Sequence, residues 1–250
     1  KYRGKFTLRM CNLILSTVRL LFVHNPSTKK SFQECGGFQC MINLLNYMST
    51  LDDDYEMIFE AVQQIILIIT FAMENNYGNQ LYFNHTISFS SLLAPLHQLK
   101  FLHSSAHGFC LSMNLLQLSL MKTDLLPCES FNDPDAATRF SQMIKSDCLL
   151  YSNPEVITEV LLKLFARNLE EIDTKLSTFF FNSLMELNTK FSINCHKLCK
   201  TRAVMVILTE FPTVLMNQSH RLQTTILDHF LLLARHSFSV EEIQQFFYLI

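Results

Sequence analysis

The hydrophobic pattern of residues 27–73 predicts three successive helices. A short polar helix over 27–34 contains one aromatic residue and is followed by two glycines. A medium helix over 38–48 has its apolar residues on one side, and a long helix ends in the apolar run 65–69. In the long helix, apolar residues recur every three or four positions, which is the spacing of one helical face. They are Met57, Ala61, Ile65, Ile68 and Ala72.

Local signals define the ends of these helices. A helix that turns sharply often ends in a left-handed residue, a conformation that glycine adopts at the lowest cost, and Gly36 and Gly37 follow the short helix. Ser27 is a favourable N-cap residue because its hydroxyl can accept a hydrogen bond from a backbone amide two or three residues later. The other face of the long helix carries Glu56, Glu60, Gln63, Thr70 and Glu74. Each helix therefore has one side to bury and one side for water or a partner.

The same order of short, medium and long helices recurs along the chain. It is predicted again over residues 79–83, 88–98 and 102–121, and again over 193–200, 203–211 and 219–235. The first two short helices begin roughly fifty residues apart, slightly more than the roughly 40–47 residues of armadillo and HEAT repeats. The sequence thus predicts an all-α fold, a right-handed α-solenoid of the armadillo/HEAT type, in which each repeat buries its apolar face against its neighbours.

A polar segment interrupts this array. Residues 122–135 contain Pro127, Pro134 and three aspartates, which is typical of a link, and a short helix is predicted over 136–144. Asn153 and Pro154 then predict a helix start with proline at the first position, where a missing amide costs nothing. We expect repeats over 1–121, a link over 122–152 and further repeats over 153–250, forming one continuous array. The chain starts without methionine and ends inside an apolar pattern, so we expect a segment of a larger protein.

Two signals concern the second part of the chain. The run Phe179-Phe180-Phe181 lies in a predicted helix over 174–187, and we expect these rings to form core. Ser239 and Glu242 have the spacing of a capping box, in which each side chain bonds to the other residue's backbone amide. They predict the start of a last helix.

Composition excludes several classes of protein. Five glycines and six prolines in 250 residues favour long helices over a barrel or sandwich. A net charge of -2 with scattered basic residues gives no electrostatic basis for binding nucleic acid. The eight cysteines occur mostly among apolar positions, as expected for reduced, buried thiols of a cytoplasmic protein. The longest apolar run, 65–73, is shorter than the roughly 20 residues that cross a bilayer.

The sequence predicts no catalytic, cofactor or metal site. His103 and His107 lie four residues apart, but no third ligand or catalytic glutamate accompanies them, and we expect both to face solvent. Cys195, His196 and Cys199 bring three zinc-binding residue types together, yet no second pair follows at zinc-finger spacing. No single cysteine is distinguished as a nucleophile by a neighbouring base and an orienting group.

Two stretches resemble a known family. The stretch Phe32-Gln33-Glu34-Cys35-Gly36-Gly37, with the hydrophobic run up to Leu45, resembles the start of armadillo-like repeats in very large BEACH-domain scaffold proteins. Residues 229–239 and the following stretch to Phe246 are similar to a segment of the branch with WD repeats and a FYVE domain, the Alfy-like proteins. In that family a helical array precedes a concanavalin-like domain, a PH-BEACH pair and WD repeats. The resemblance implies a cytoplasmic scaffold of selective autophagy or vesicle traffic, peripheral to intracellular membranes and contacting them only through other domains.

The main functional hypothesis is a non-catalytic module that binds other proteins along a surface of successive third helices. The candidate contact residues are outward positions of the predicted third helices, namely Glu60, Gln63, His107, Asn114 and Gln117. The alternative is an all-α enzyme or lipid-binding domain with an internal apolar pocket, which the 22 phenylalanines and 11 methionines would suit. A GTPase-regulating domain would need an exposed finger arginine, and the sequence does not distinguish among Arg139, Arg167 and Arg202.

Overall fold

The computed structural model describes residues 2–52, 54–122, 140, 142–144 and 148–249. Every regular element within these residues is a helix, in agreement with the predicted all-α class. The first α-helices are α1 (Tyr2–His24), α2 (Thr28–Glu34), α3 (Gly37–Met48), α4 (Tyr55–Met73), α5 (Tyr77–Tyr82), α6 (Leu93–Gln98) and α7 (Ser105–Leu120). The later ones are α8 (Leu162–Arg167), α9 (Thr174–Lys190), α10 (Ser192–Lys200), α11 (Ala203–Glu210), α12 (Pro212–Met216), α13 (Gln223–Ala234) and α14 (Val240–Leu249).

Several of the predicted helices are interrupted, or contain 3-10 or π-helical segments in place of α-helix. The medium helix of the second repeat is a 3-10 segment, Phe89–Leu92, followed by α6, and a π-helical segment, Phe83–Ile87, follows α5. A second π-helical segment, Val156–Leu161, precedes α8, and a 3-10 segment, Phe101–His103, precedes α7. The predicted long helix over 219–235 is shorter and begins only at Gln223. The predicted link over 122–152 and helix over 136–144 fall largely outside the described residues.

The packing divides the chain into two compact units: of the described residues, those up to Phe101 and also Met121 and Lys122 belong to unit 1, and the others belong to unit 2. Among the described helices, α1 to α6 belong to unit 1 and α7 to α14 belong to unit 2. The division of the array into parts at 121 and 153 stays a prediction.

Unit 1 is organised around α4, which packs against α1, α2, α3 and α5. A chain of aromatic rings supports this core: Phe22, Phe32, Phe38, Phe83 and Phe89 follow one another with centroid separations of 5.1, 5.1, 5.3 and 4.9 Å. Three of these contacts are edge-to-face or nearly so, an arrangement that aromatic quadrupoles favour.

Helix α4 has 19 residues and is long and apolar enough, by length and composition alone, to cross a membrane, with a mean hydropathy of 1.6 over its most apolar 18 residues. The length of the longest uninterrupted apolar run does not reveal this property. Charged residues such as Glu56 and Glu60 interrupt the run, although the mean hydropathy of the helix stays high. In unit 1, however, 61% of its most apolar stretch is buried by neighbouring helices. A largely buried helix of this kind is what the core of a globular unit requires.

The turn between α2 and α3 depends on both glycines. Gly36 has a φ of +72°, in the left-handed region that favours glycine. At Gly37 an added Cβ would lie 2.4 Å from the Phe32 ring, so only hydrogen fits beneath that ring. Ser27 occupies the N-cap position of α2, as predicted, but it makes no side-chain capping bond: its backbone is helical and its hydroxyl donates instead to Asn25 Oδ1, at 2.6 Å.

Unit 2 has a second aromatic core. Phe165 stacks on Phe180 with centroids 4.1 Å apart, and Phe180 and Phe181 are buried, as predicted, whereas Phe179 is half-buried. The capping box is confirmed: the Ser239 amide donates to Glu242 Oε2 at 2.7 Å and the Glu242 amide to Ser239 Oγ at 3.3 Å. At the helix start predicted at Asn153, the backbone carbonyl of Asn153 accepts from the Val156 amide at 3.2 Å, and its side-chain Nδ2 donates to the Leu118 carbonyl at 3.0 Å.

The cysteines are more exposed than the sequence predicted for thiols that occur mostly among apolar positions. Cys110 and Cys195 are buried, but Cys35, Cys40 and Cys148 are exposed. All seven cysteines within the described part of the chain are free thiols. Cys128 lies outside it.

Candidate functional site

The predicted contact residues on α4 lie at the surface of unit 1. Glu60 is exposed and Gln63 is half-buried. Glu60 is already held by a neighbouring helix, since Asn12 of α1 donates from Nδ2 to Glu60 Oε2 at 2.9 Å and to the Met57 carbonyl at 3.2 Å. The two positions therefore remain accessible, and one of them is oriented by a hydrogen bond.

The predicted contact residues on α7 have a different environment. His107 is half-buried, whereas Asn114 and Gln117 are buried, with exposures of 2% and 3%. The expectation that Asn114 and Gln117 occupy outward positions is wrong. Contacts of Glu60, Gln63 and His107 with a partner stay a prediction.

The apparent polar face of α7 explains this error. Every residue from Gly108 to Leu120 is buried. The Ser112 hydroxyl donates to the Gly108 carbonyl at 2.7 Å, and the Ser119 hydroxyl to the Leu116 carbonyl at 2.8 Å. Serine can satisfy its hydroxyl on its own helix in this way, so a helix can contain serines and still be buried on all sides. Sequence spacing alone does not separate such a helix from an amphipathic one.

Helix α4 presents one continuous surface stripe, which we call the α4 stripe. Its members are at least partly exposed and recur at helical spacing along one face: Glu56, Glu60, Gln63, Leu67, Phe71 and Glu74. Carboxylates occupy both ends of the stripe, and its second half contains the two half-buried apolar side chains. A partner with basic and apolar groups would match this distribution.

In unit 2, the long helices α9 and α13 meet through buried polar groups. Asn188 Nδ2 and His229 Nε2 lie 3.1 Å apart, and each residue is only 1% exposed. Burial lowers the pKa of His229 to about 4, because the charged imidazolium would lose its hydration. His229 is therefore neutral near pH 7 and contributes to packing between the two helices.

Two buried asparagines make equivalent bonds in the two units, and neither is among the residues predicted from the sequence. Asn79 Nδ2 donates to the carbonyl of Lys29, at 2.9 Å, and of Ala72, at 2.7 Å. Asn194 Nδ2 donates to the carbonyl of Leu149, at 3.0 Å, and of Leu187, at 3.4 Å. Each asparagine thus joins the carbonyl seven residues earlier to a second carbonyl 45 to 50 residues earlier in the chain.

The position of these residues within the repeat is a signal that the sequence contains. Asn79 and Asn194 are each the third residue of a short helix that follows a long one. The partner carbonyls lie 50 and 45 residues earlier, close to the period of armadillo-type repeats. Asn194 makes one further contact, because its Oδ1 accepts from the Tyr151 amide at 3.0 Å.

The thiols near His196 are poorly suited to hold a metal. Cys195 Sγ donates to the Asn188 carbonyl and Cys199 Sγ to the Leu233 carbonyl, each at 3.4 Å. Burial raises the pKa of both thiols to about 11, whereas a metal ligand must be a thiolate. Across the described residues, no group of three or more histidine, cysteine, aspartate or glutamate side chains could hold a metal ion.

Polar groups also meet near the start of α7. His103 Nε2 lies 2.5 Å from Glu171 Oε2 and 3.2 Å from Asn168 Oδ1, and Ser105 Oγ donates to Asp173 Oδ2 at 2.5 Å. The Ser105 bond is the main reason that the pKa of Asp173 is lowered. A serine nucleophile needs its hydroxyl on a base such as histidine, and here the serine and the histidine bond to different carboxylates. The contacts join the start of α7 to the start of α9.

An open apolar pocket of about 290 Å³ lies between α11, α12, α13 and α14. Leucines and phenylalanines line most of it, and its polar lining consists of Gln218 and Gln223. Such a pocket can take an apolar group, but it presents no acid or base to a substrate.

Comparison with known protein families gives one match. A family model described as armadillo-like repeats matches residues 7–233. No curated protein and no solved structure matches the chain.

Proposed function

Because the chain belongs to the family of armadillo-like repeats, which matches it over residues 7–233, we propose that it is a non-catalytic helical scaffold that binds other proteins. Helical repeats stack into extended surfaces, and such surfaces suit protein recognition better than chemistry. The observation that carries the proposal is the α4 stripe, a surface with carboxylates at both ends and apolar side chains between them.

The proposed partner segment is a basic and apolar peptide. Its cationic side chains would lie near Glu56 and Glu60, and its apolar side chains would cover Leu67 and Phe71. Peptide recognition on a helical surface commonly uses a few apolar anchors, while charges set the orientation and the rate of association. Asn12 holds the Glu60 carboxylate in place, so less side-chain entropy is lost on binding.

The test is charge reversal of the stripe. We expect the double variant Glu60→Lys with Gln63→Lys to lose affinity for protein partners, measured by pull-down of partners identified with the wild-type chain. The matched control is Glu34→Lys with Gln39→Lys, which has the same residue types and the same charge change at exposed positions of α2 and α3.

Comparison of the two variants distinguishes loss of binding at the α4 stripe from a general effect of the changed net charge. Loss of partners in the stripe variant but not in the control supports the proposal. Equal partner recovery by the wild type and the stripe variant contradicts it.

We also propose the narrower context that the sequence resemblance implies. The stretch from Phe32 to Leu45 and residues 229–239 support a place in a large BEACH-type scaffold of autophagy or vesicle traffic. In that context the chain is cytoplasmic and peripheral to intracellular membranes, its partners are proteins rather than nucleic acid, and other domains make the membrane contacts. No cofactor is required.

The context has a direct test. The full transcript should encode a BEACH domain and WD repeats downstream of this segment, and the tagged full-length protein should colocalise with autophagic or vesicular membranes. A transcript that encodes neither domain would contradict this context and leave the scaffold proposal untouched.

A second candidate function follows from the pocket of unit 2. Its lining of leucines and phenylalanines, with a volume of about 290 Å³, favours an apolar ligand such as an acyl chain. We expect Leu227→Trp, which would fill the pocket, to abolish retention of a fluorescent fatty acid. If the wild type retains no fatty acid, this candidate is excluded.

A further inference from the structure

Helix α1 has an unpartnered apolar face. Its inner side is buried against α4, but Leu13 and Ile14 are 61% and 57% exposed, and Leu20 and Leu21 are 50% and 51% exposed. These two pairs lie seven residues apart, or about 10 Å along the helix, on the same face. We call them the α1 face. Contiguous exposed apolar side chains of this kind mark interaction sites.

Helix α14 has a comparable outer face in unit 2. Val240 and Phe247 are 71% and 70% exposed, and Ile243 between them is 36% exposed. The inner side of α14 carries Glu242 and Phe246. Glu242 belongs to the capping box, and the Phe246 ring stacks on Phe230. We call the three exposed residues the α14 face. Its two ends are seven residues apart, the same separation as the two pairs of the α1 face.

The charges of the two helices are complementary. Helix α1 contains Arg3, Lys5, Arg9 and Arg19 and no acidic residue, whereas α14 contains Glu241 and Glu242 and no lysine or arginine. Pairing α1 with a second α1 would therefore bring only like charges together. Pairing α1 with α14 brings opposite charges together.

Glu241 is the exposed acidic residue of α14. It pairs with Arg202 on the surface, where both side chains are more than half exposed. An exposed pair of this kind contributes only about 0–1 kcal/mol, so Glu241 can exchange it for an arginine of α1. Glu242 is buried and its carboxylate accepts from the Ser239 amide in the capping box.

We propose that this chain associates head to tail, with the α1 face of one copy packed on the α14 face of a second copy. The matching spacing gives each helix two apolar contacts two turns apart, as in a short coiled-coil seam. The interface is heterologous, since it uses different surfaces on the two copies, and one copy retains a free face after each contact. Association therefore continues to longer chains as the concentration rises.

Sedimentation velocity of the 250-residue chain over a concentration series tests this proposal. The wild type is expected to rise from 29.0 kDa to multiples of that mass. Two variants each remove one face: Leu13→Glu with Leu20→Glu on α1, and Phe247→Lys with Val240→Lys on α14. The substituted side chains are at least half exposed, so the fold is retained, which circular dichroism checks. The matched control is Tyr77→Glu, at a position 72% exposed and outside both faces.

A mixture of the two variants gives the decisive result. Each variant alone should remain monomeric, because it lacks one half of the interface. Mixed in equal amounts they should form a dimer that cannot extend, since only one α1 face and one α14 face remain intact. The control should associate like the wild type.

Other outcomes overturn the proposal. A wild type that stays monomeric at every concentration shows that a second copy does not cover these faces. Self-association that persists in either single-face variant, or a mixture without dimer, shows that the contact uses other surfaces. Neither outcome bears on the α4 stripe, whose residues are unchanged in these variants.

Discussion

Units 1 and 2 contain the same turn with very different residues. In unit 1 the left-handed residue between the first and second helix of the repeat is Gly36, with a φ of +72°. In unit 2 the corresponding residue is Arg202, with a φ of +63°. The glycine adopts this conformation without penalty, whereas the arginine is strained, because its Cβ approaches the following carbonyl oxygen. The comparison shows that packing of the flanking helices imposes the left-handed conformation at this position. The residue type determines only how much backbone strain the conformation causes.

The buried asparagines show a second common element. Asn79 in unit 1 and Asn194 in unit 2 each bond to two backbone carbonyls, but Asn194 also accepts from the Tyr151 amide. The same residue type at the same place in the repeat therefore makes more contacts in unit 2. This difference can be measured.

The largest effect is expected from removing these asparagines. Asn194→Ala leaves buried backbone groups unpaired and should lower the free energy of unfolding by about 3 kcal/mol, and Asn79→Ala by about 2 kcal/mol. Urea unfolding of each variant measures the difference, and Asn43→Ala, an exposed change on α3, is the control. Equal effects of the two buried changes would show that the Tyr151 contact adds nothing.

The next largest effect is a pH dependence of stability, which is expected from the contact between long helices in unit 2 and not from the contact in unit 1. In unit 2 the Asn188–His229 contact is buried, and the pKa of His229 is about 4 instead of 6.5. Below pH 6.5 the unfolded chain binds a proton that the folded chain rejects. The free energy of unfolding should therefore fall as the pH is lowered from 6.5 to 4, by up to about 3 kcal/mol. In unit 1 the matching Asn12–Glu60 contact involves an exposed carboxylate.

Unfolding measured between pH 7 and pH 4 checks this prediction. His229→Gln keeps a polar side chain of similar length and should remove this part of the pH dependence. Wild type and variant with parallel pH profiles would show that His229 does not titrate in this way.

The turn residues give a smaller effect of opposite sign in the two units. Gly36→Ala should lower the free energy of unfolding by about 1 kcal/mol, because alanine is strained at positive φ, and Arg202→Gly should raise it by up to about 1 kcal/mol. Because Arg202 also pairs with Glu241, both forms of residue 202 are compared in a Glu241→Gln background, by urea unfolding. If Arg202→Gly lowers stability there, the turn in unit 2 is not strained.

The smallest effect concerns the two predicted N-caps. Ser239 accepts from the Glu242 amide, so Ser239→Ala should cost about 1 kcal/mol. Ser27 makes no capping bond and its hydroxyl contacts only Asn25, so Ser27→Ala should change the free energy of unfolding by less than about 0.5 kcal/mol. Thermal unfolding of both variants measures the contrast. A cost at Ser27 equal to that at Ser239 would mean that Ser27 stabilises the start of α2 after all.

The sequence predicted the helices best where local chemistry and burial agree. The turn at Gly36 and Gly37, the apolar side of α4 and the capping box at Ser239 are all local signals, and each has the expected structural counterpart. Arg202 carries no such signal, because nothing in an arginine indicates positive φ. The prediction of an armadillo-type helical repeat succeeded because it depends on the order and length of helices rather than on any single residue.

The candidate surface was only partly predictable. Glu60 and Gln63 are accessible on α4, as expected, but Asn114 and Gln117 are buried on α7. Both helices contain polar residues at helical spacing. The difference lies in how completely the surrounding packing encloses each helix, which spacing within the helix does not encode.

The sequence by itself determined that this chain forms helices of alternating length with apolar sides, because hydrophobic periodicity and turn residues act within a few positions of the chain. Only the tertiary structure decided which helices are fully enclosed, which asparagines bond across a repeat and which histidine is buried. These properties depend on residues about 40 to 50 positions apart in the chain, such as Asn79 and Lys29 or Asn188 and His229. They arise because a buried polar group must find a partner wherever the packing places it.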